Sequence, residues 1–171
     1  PRAIQSLNVP IVAAVNGPAV GAGCDLVTMC DIRIASSKAM FAESFVQLGL
    51  IPGDGGAWFL PRAVGFSNAS LMALTGDPVK AEEALRIGLV SMVVEPEELL
   101  TKAQGIAARI AANPPHAVRL TKQLLRGSET SSLNEMLDKS AAFQAVCHAE
   151  ADHHEAIAAF FEKRSGDYRK S

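Results

Sequence analysis

Three glycines and a carboxylate, set between two apolar runs, make up the most reactive-looking stretch of this chain. They lie in Asn16-Gly17-Pro18-Ala19-Val20-Gly21-Ala22-Gly23-Cys24-Asp25. Gly21 and Gly23 allow a ligand to come close to the backbone. A helix starting here leaves its first amides without intrahelical acceptors. Backed by the helix dipole, such amides hold an oxyanion or a phosphate. Asp25 adds a carboxylate on the first helical turn, three residues past Ala22. The chemistry implied is stabilisation of negative charge building on an oxygen, with an acid or base alongside. The plainer alternatives are a tight turn whose glycines serve geometry alone, and an Asp25 that merely complements the dipole.

Two phosphate-binding patterns are excluded. A dinucleotide loop requires a third glycine three residues after Gly23, where Leu26 stands. A nucleoside triphosphate loop ends in Gly-Lys-Ser/Thr, which is absent. A Rossmann-type nucleotide binder is therefore the weaker reading.

Further carboxylates compete for an acid/base role. Asp54, between Gly53 and Gly55, is either a proton carrier or the N-cap of a helix starting near Gly55 or Gly56. Glu43 shares a strand face with Phe45 if Met40–Phe45 is extended, and is otherwise a solvated or salt-bridged carboxylate. His148 and Asp152 fall four apart, near His153 and His154, but without a further fixed ligand they read as a solvated helix face, and no metal is expected. From Glu162 to Ser171, Lys163, Arg164, Arg169 and Lys170 face only Glu162 and Asp167. That balance suits either phosphate binding or a solvated helix end.

These groups need elements to hold them. Residues 10–16, rich in β-branched side chains, predict a buried strand, and 22–30 a helix. Strands follow at 31–35, 40–45 and 89–94, with a glycine-rich loop at 49–56. Helices are predicted at 57–60, 67–74 and 80–87, the last two stopped by Gly76 and Gly88. This is βαβ-like alternation. After Glu95-Pro96 the pattern turns wholly helical: 97–112, 115–125, 133–149 behind a Ser132/Glu135 capping box, and 155–163. The boundary read from this shift separates 1–95 from 96–171.

Composition sets outer limits. The 171 residues are 49% hydrophobic and 20% charged, an ordinary globular balance. A net charge of −2 argues against a nucleic-acid partner. No apolar run approaches the ~18 residues of a membrane helix. Cys24, Cys30 and Cys147 are odd in number and lack Cys-x-x-Cys spacing, which fits buried thiols in a reducing compartment.

Several blocks together resemble one family. Val15-Asn16-Gly17, Gly21-Ala22-Gly23 and Thr28-x-Cys30-Asp31-Ile32 are similar to the signature of the enoyl-CoA hydratase/isomerase (crotonase) superfamily. Phe41 to Phe45, Leu48 to Gly56, Leu60 to Gly65, Leu74 to Asp77, Gly88-Leu89-Val90 and Phe160 to Arg164 follow in the family's order. The resemblance implies an α/β fold of the ClpP/crotonase class: a spiral ββα core over 1–95 and a helical segment over 96–171 for oligomerisation and coenzyme A covering. Earlier strands of the core, and one of two oxyanion-hole amides, are expected in a missing N-terminal segment of the same protein. The implied substrate is an acyl-CoA thioester, with coenzyme A part of the substrate and no separate cofactor. The implied reaction passes through an enolate held at the Ala22 amide, with hydration of a 2-enoyl-CoA first, then isomerisation, or ester binding with little turnover. Catalytic roles fall on Ala22, Asp25 and Asp54. Substrate contacts fall on Gly17, Val20, Gly21, Gly23, Phe45, Leu48, Gly53, Phe160 and Lys163. Phe45 stands where the family carries its second glutamate, so two-carboxylate water addition is not matched residue by residue. A homotrimer or dimer of trimers is expected, in the cytoplasm, or in mitochondria or peroxisomes for a eukaryote.

Overall fold

The computed structural model describes residues 1–168. Two compact units are formed, one from Pro1–Ser6 with Ile11–Ile106 and the other from Leu7–Pro10 with the chain from Ala107 onward.

The first unit is built on two three-stranded sheets. β1 (Val12–Val15), β3 (Ile32–Ser36) and β6 (Met92–Val94) form one, all parallel, in the order β1-β3-β6. Val12 pairs with Ile32 and Val15 with Ala35. β2 (Pro18–Val20), β4 (Met40–Ala42) and β5 (Val79–Lys80) form the other, with β2 parallel to β4 and β5 antiparallel. The chain leaves β1, crosses at Asn16-Gly17 and enters β2, so consecutive strands feed different sheets. Parallel strands need helical crossovers. α2 (Ala22–Met29) supplies the first, after the four-residue α1 (Arg2–Gln5).

β4 is shorter than its sequence predicts. It stops at Ala42, and Ser44–Leu48 winds into a 3-10 helix closed by Gly49 at φ 70°. Glu43 and Phe45 consequently do not share a strand face. α3 (Gly56–Thr75) merges the two helices expected at 57–60 and 67–74, but Gly65, at φ 77° and ψ 159°, interrupts the helical backbone between them. Only glycine adopts that conformation cheaply. α4 (Ala81–Arg86) completes the mixed region.

Phe41, Ala35, Leu60, Leu89, Val90 and Cys24 lie in the main core of this unit. A second cluster joins Ile34 to Leu99 and Ala103 of α5 (Leu99–Ala111). That contact explains why the division between the units falls inside α5 and not at the 95/96 boundary read from the sequence. The first helix after Pro96 buries its apolar stripe on β3.

The second unit holds α6 (Pro115–Gly127), α7 (Leu133–Ala149) and α8 (Ala151–Glu162). Pro115 occupies the first helical position, where a missing N–H costs nothing. The Ser132/Glu135 capping box is formed: Glu135 N–H donates to Ser132 Oγ, and Ser132 N–H donates to Glu135 Oε2 at 2.7 Å. α8 starts at Ala151, four residues before the predicted start.

Candidate acid/base site

α2 begins at a glycine because the chain must turn sharply out of β2. Gly21 takes φ 56° and ψ −120°, and its N–H donates to Ala42 O at 2.8 Å. That bond ties the loop to β4. It also removes the Gly21 amide from ligand binding. Ala22 and Gly23 are the first two helical residues, so their amides have no intrahelical acceptor, and among the described residues no loop carbonyl takes them. Ala22 is exposed, and the space off the Gly23 Cα is open. The Phe45 ring packs 3.5 Å from the point where a Cβ on Gly21 would sit, backing the loop from one side.

One turn into α2, Asp25 is 0% exposed. Glu43, at the head of the 3-10 helix, is 1% exposed. The solvated alternative for Glu43 is thereby overturned: the chain curls at Ser44 and carries the side chain inward. Both carboxyl groups converge on the Gly56 Cα. A Cβ there would lie 2.0 Å from Asp25 Oδ1 and 3.2 Å from Glu43 Oε2. The two oxygens are thus within about 5 Å of each other, a range in which carboxylates resist joint ionisation.

None of the four oxygens makes a well-formed hydrogen bond. The Glu43 side chain first, then the N–H groups of Gly56 and Asp54, approach Asp25 closely enough to favour its anion, though outside hydrogen-bond geometry. Burial nonetheless raises the Asp25 pKa above the usual carboxylate range. Burial first, and the adjacent Asp25 charge second, push Glu43 up to about 7. Burial and the same carboxyls push the Cys24 thiol up, so it stays protonated and is no nucleophile. An isolated buried carboxylate is costly. One proton between the two carboxyls relieves that cost.

Glu43 also lines a cavity of about 240 Å³. Its remaining wall is mostly apolar, including Leu60 and Pro61 from the first half of α3 and Phe66, Ala69 and Leu74 from the second. The break at Gly65 separates these two groups.

Other sequence-selected residues are scattered. Asp54 is exposed and does not cap α3, whose N-cap is Gly55 at φ 113° with no side-chain bond. Gly17, whose carbonyl accepts from Met40 N–H, has open space at its Cα, and Val20 ends β2 half exposed. Leu48 is exposed at the end of the 3-10 helix, and Gly53 is exposed on the loop before α3. In the second unit, Phe160 is 78% exposed at the end of α8, and Lys163 closes that helix at φ 54°. Arg164 is bound by Glu155 and Glu162 and is not free for a phosphate. Arg169 and Lys170 lie outside the described residues. His148 Nδ1 is 3.1 Å from His153 Nε2. Among the described residues no three His, Cys, Asp or Glu side chains are grouped to hold a metal, and no helix is long and apolar enough to cross a membrane.

Sequence reasoning missed the pairing of Glu43 with Asp25, the role of Gly56 beneath them, and the cavity. One available signal was Gly55-Gly56, two consecutive glycines at a helix start, where a close approach is a reason for the missing side chain.

Comparison with known proteins follows the same lines. The family model described as Enoyl-CoA hydratase/isomerase matches residues 2–171. A short-chain-enoyl-CoA hydratase of Clostridium acetobutylicum is 46% identical over 95% of this chain and 62% of its own length. A 1,2-epoxyphenylacetyl-CoA isomerase of Escherichia coli is 39% identical over 98% of the chain and 64% of its own. The crystal structure of an enoyl-CoA hydratase from Bacillus anthracis superposes with a TM-score of 0.96 at 36% identity, over 99% of this chain and 66% of that one. The chain thus spans a little under two thirds of the length of these relatives.

Proposed function

The chain belongs to the enoyl-CoA hydratase/isomerase family, and from that membership we propose that the whole protein acts on an acyl-CoA thioester through an enolate, adding water to a 2-enoyl-CoA. The observation that carries this reading is the unclaimed amide of Ala22 one turn ahead of the buried Asp25. A thioester oxygen accepting from Ala22 N–H gains stabilisation as it becomes an enolate, and a fixed donor of this kind contributes ~10²–10³ in rate. Ala in place of Gly is compatible, because the donor is backbone. Asp25, whose pKa burial raises and the neighbouring Glu43, Gly56 and Asp54 groups bring part of the way back down, is the base.

Double-bond isomerisation is the second reading. It is favoured by Phe45, a group without a transferable proton packed against the Gly21 loop, and by the isomerase among the relatives. Coenzyme A enters as part of the substrate, and no resident cofactor is invoked. Assembly as a homotrimer or dimer of trimers is part of the proposal. It is supported by the exposed Leu133, Leu137, Phe160 and Phe161 of α7 and α8. A reducing compartment, cytoplasmic or organellar, fits the free thiols of Cys24, Cys30 and Cys147.

The test is loss of crotonyl-CoA absorbance with the whole protein, alongside conversion of a 3-enoyl-CoA. Turnover of the first supports hydration, and turnover of the second alone supports isomerisation. Binding of the ester without either marks a relative that retains affinity and has lost proton transfer.

A further inference from the structure

Resting on the enolate reading above, we infer that Glu43 is the catalytic acid of this protein, delivering a proton to the acyl carbon from the wall of the α3 cavity and recovering it from Asp25. The geometry carries the assignment. Glu43 is almost wholly buried, makes no well-formed hydrogen bond with either oxygen although the Cys24 thiol and the Asp25 carboxyl lie beside it, and borders an apolar cavity. Asp25, equally buried, stands within about 5 Å across the Gly56 Cα, inside the range of strong carboxyl coupling. The two environments differ in a way that sorts the roles. Burial raises Asp25 as it raises Glu43, but at Asp25 the adjacent Glu43 carboxyl, the Gly56 and Asp54 amides and the first-turn position on α2 work against that rise, with the Asp54 charge a smaller effect in the other direction. Glu43 has desolvation and a neighbouring negative charge, both favouring the acid. Paired groups whose surroundings drive their proton affinities apart make an acid and a base.

The cycle balances. As the oxygen of water bonds to C3, Asp25 takes the water proton and the C2–C3 π pair moves toward the thioester oxygen at Ala22 N–H. The enolate pair then forms a C2–H bond with the Glu43 proton, leaving Glu43 ionised and Asp25 protonated. Transfer of that proton from Asp25 to Glu43 restores the start, and the net addition is one water. The chargeable groups facing Glu43 are Asp25 and Cys24 from α2, with Asp54 beyond Asp25.

The test uses the whole protein and Glu43→Gln, an isostere that cannot donate as an acid. The expected result is a fall in kcat of about 10²-fold or more, with the dissociation constant for a saturated acyl-CoA changed by less than about threefold. In the unsubstituted protein, kcat falls as pH rises through the ionisation of Glu43, and E43Q abolishes that limb. Full activity of folded E43Q overturns the assignment while leaving the enolate reading intact. Should E43Q fail to fold, the pH profile decides, and a kcat flat from about pH 6 to about pH 9 overturns it. Inactivity of the unsubstituted protein on both 2-enoyl and 3-enoyl esters overturns the underlying reading and the assignment with it.

Discussion

Asp25 and Glu43 meet over the bare α-carbon of Gly56, whose missing side chain is the space that Asp25 Oδ1 occupies. Gly56 is fully helical, so its requirement is steric and not conformational. Gly56→Ala puts a methyl group 2.0 Å from that oxygen. The expected outcome is destabilisation of about 1–3 kcal/mol and a fall in turnover of about 10²-fold from the displaced carboxyl. Thermal unfolding and steady-state kinetics check both. A melting temperature and kcat equal to those of the parent would show that the carboxyls do not converge there.

Stability also reports on the carboxyl pair. The folded-state pKa of Glu43 is raised from 4.5 to about 7. The native state therefore keeps a proton that the unfolded chain has already lost. Stability from this group is greatest below pH 4.5, declines as pH rises, and levels off above about pH 7. E43Q carries no such loss, so relative to the parent it gains on the order of 3 kcal/mol between about pH 5 and about pH 8. Denaturant midpoints at the two pH values give the comparison. Parallel behaviour of the two proteins would place Glu43 in contact with solvent.

The Ala22 amide can be deleted without removing a side chain. Proline at the first helical position is the substitution a helix tolerates best. Ala22→Pro is expected to retain most of the melting temperature and acyl-CoA affinity while losing about 10²–10³ in kcat. Ala22→Gly keeps the donor and stays within about threefold of the parent. Equal activity of the proline variant would remove this amide from the reaction.

In the second unit the capping box is a local stability element. Ser132→Ala breaks the reciprocal bonds with Glu135 and is expected to cost about 1 kcal/mol in chemical denaturation. Turnover per folded molecule should not change, since neither residue belongs to the carboxyl site.

Much of this arrangement was legible in the residues. The β-branched run before Asn16 and the small-residue turn into α2 follow from periodicity and glycine chemistry, and both formed. β2 was hidden, because Pro18-Ala19-Val20 is three residues long and begins with proline, which reads as loop until a neighbouring strand pairs with it. Glu43 was hidden for a different reason. Period-two reasoning assumed an extended chain through Phe45, and a glutamate defaults to solvent. Only the curl at Ser44, together with the tertiary approach of α3, turns it inward. Asp54 shows the converse: the glycines around it looked like a reason to single it out, yet Gly55 serves the left-handed cap of α3 and Gly56 the close contact with Asp25.

The break at Gly65 has a consequence for how this protein can change. The half of α3 before it carries Gly56 and so fixes the two carboxyls. The half after it contributes Phe66, Ala69 and Leu74 to the cavity wall. Since the backbone leaves helical geometry at Gly65, a bulkier or smaller residue at 69 or 74 is expected to reshape the chamber with less effect on the Gly56 end than an unbroken helix would transmit. If the proposed enolate chemistry holds, selectivity for the acyl tail and reactivity at its head would be set by different halves of one twenty-residue helix.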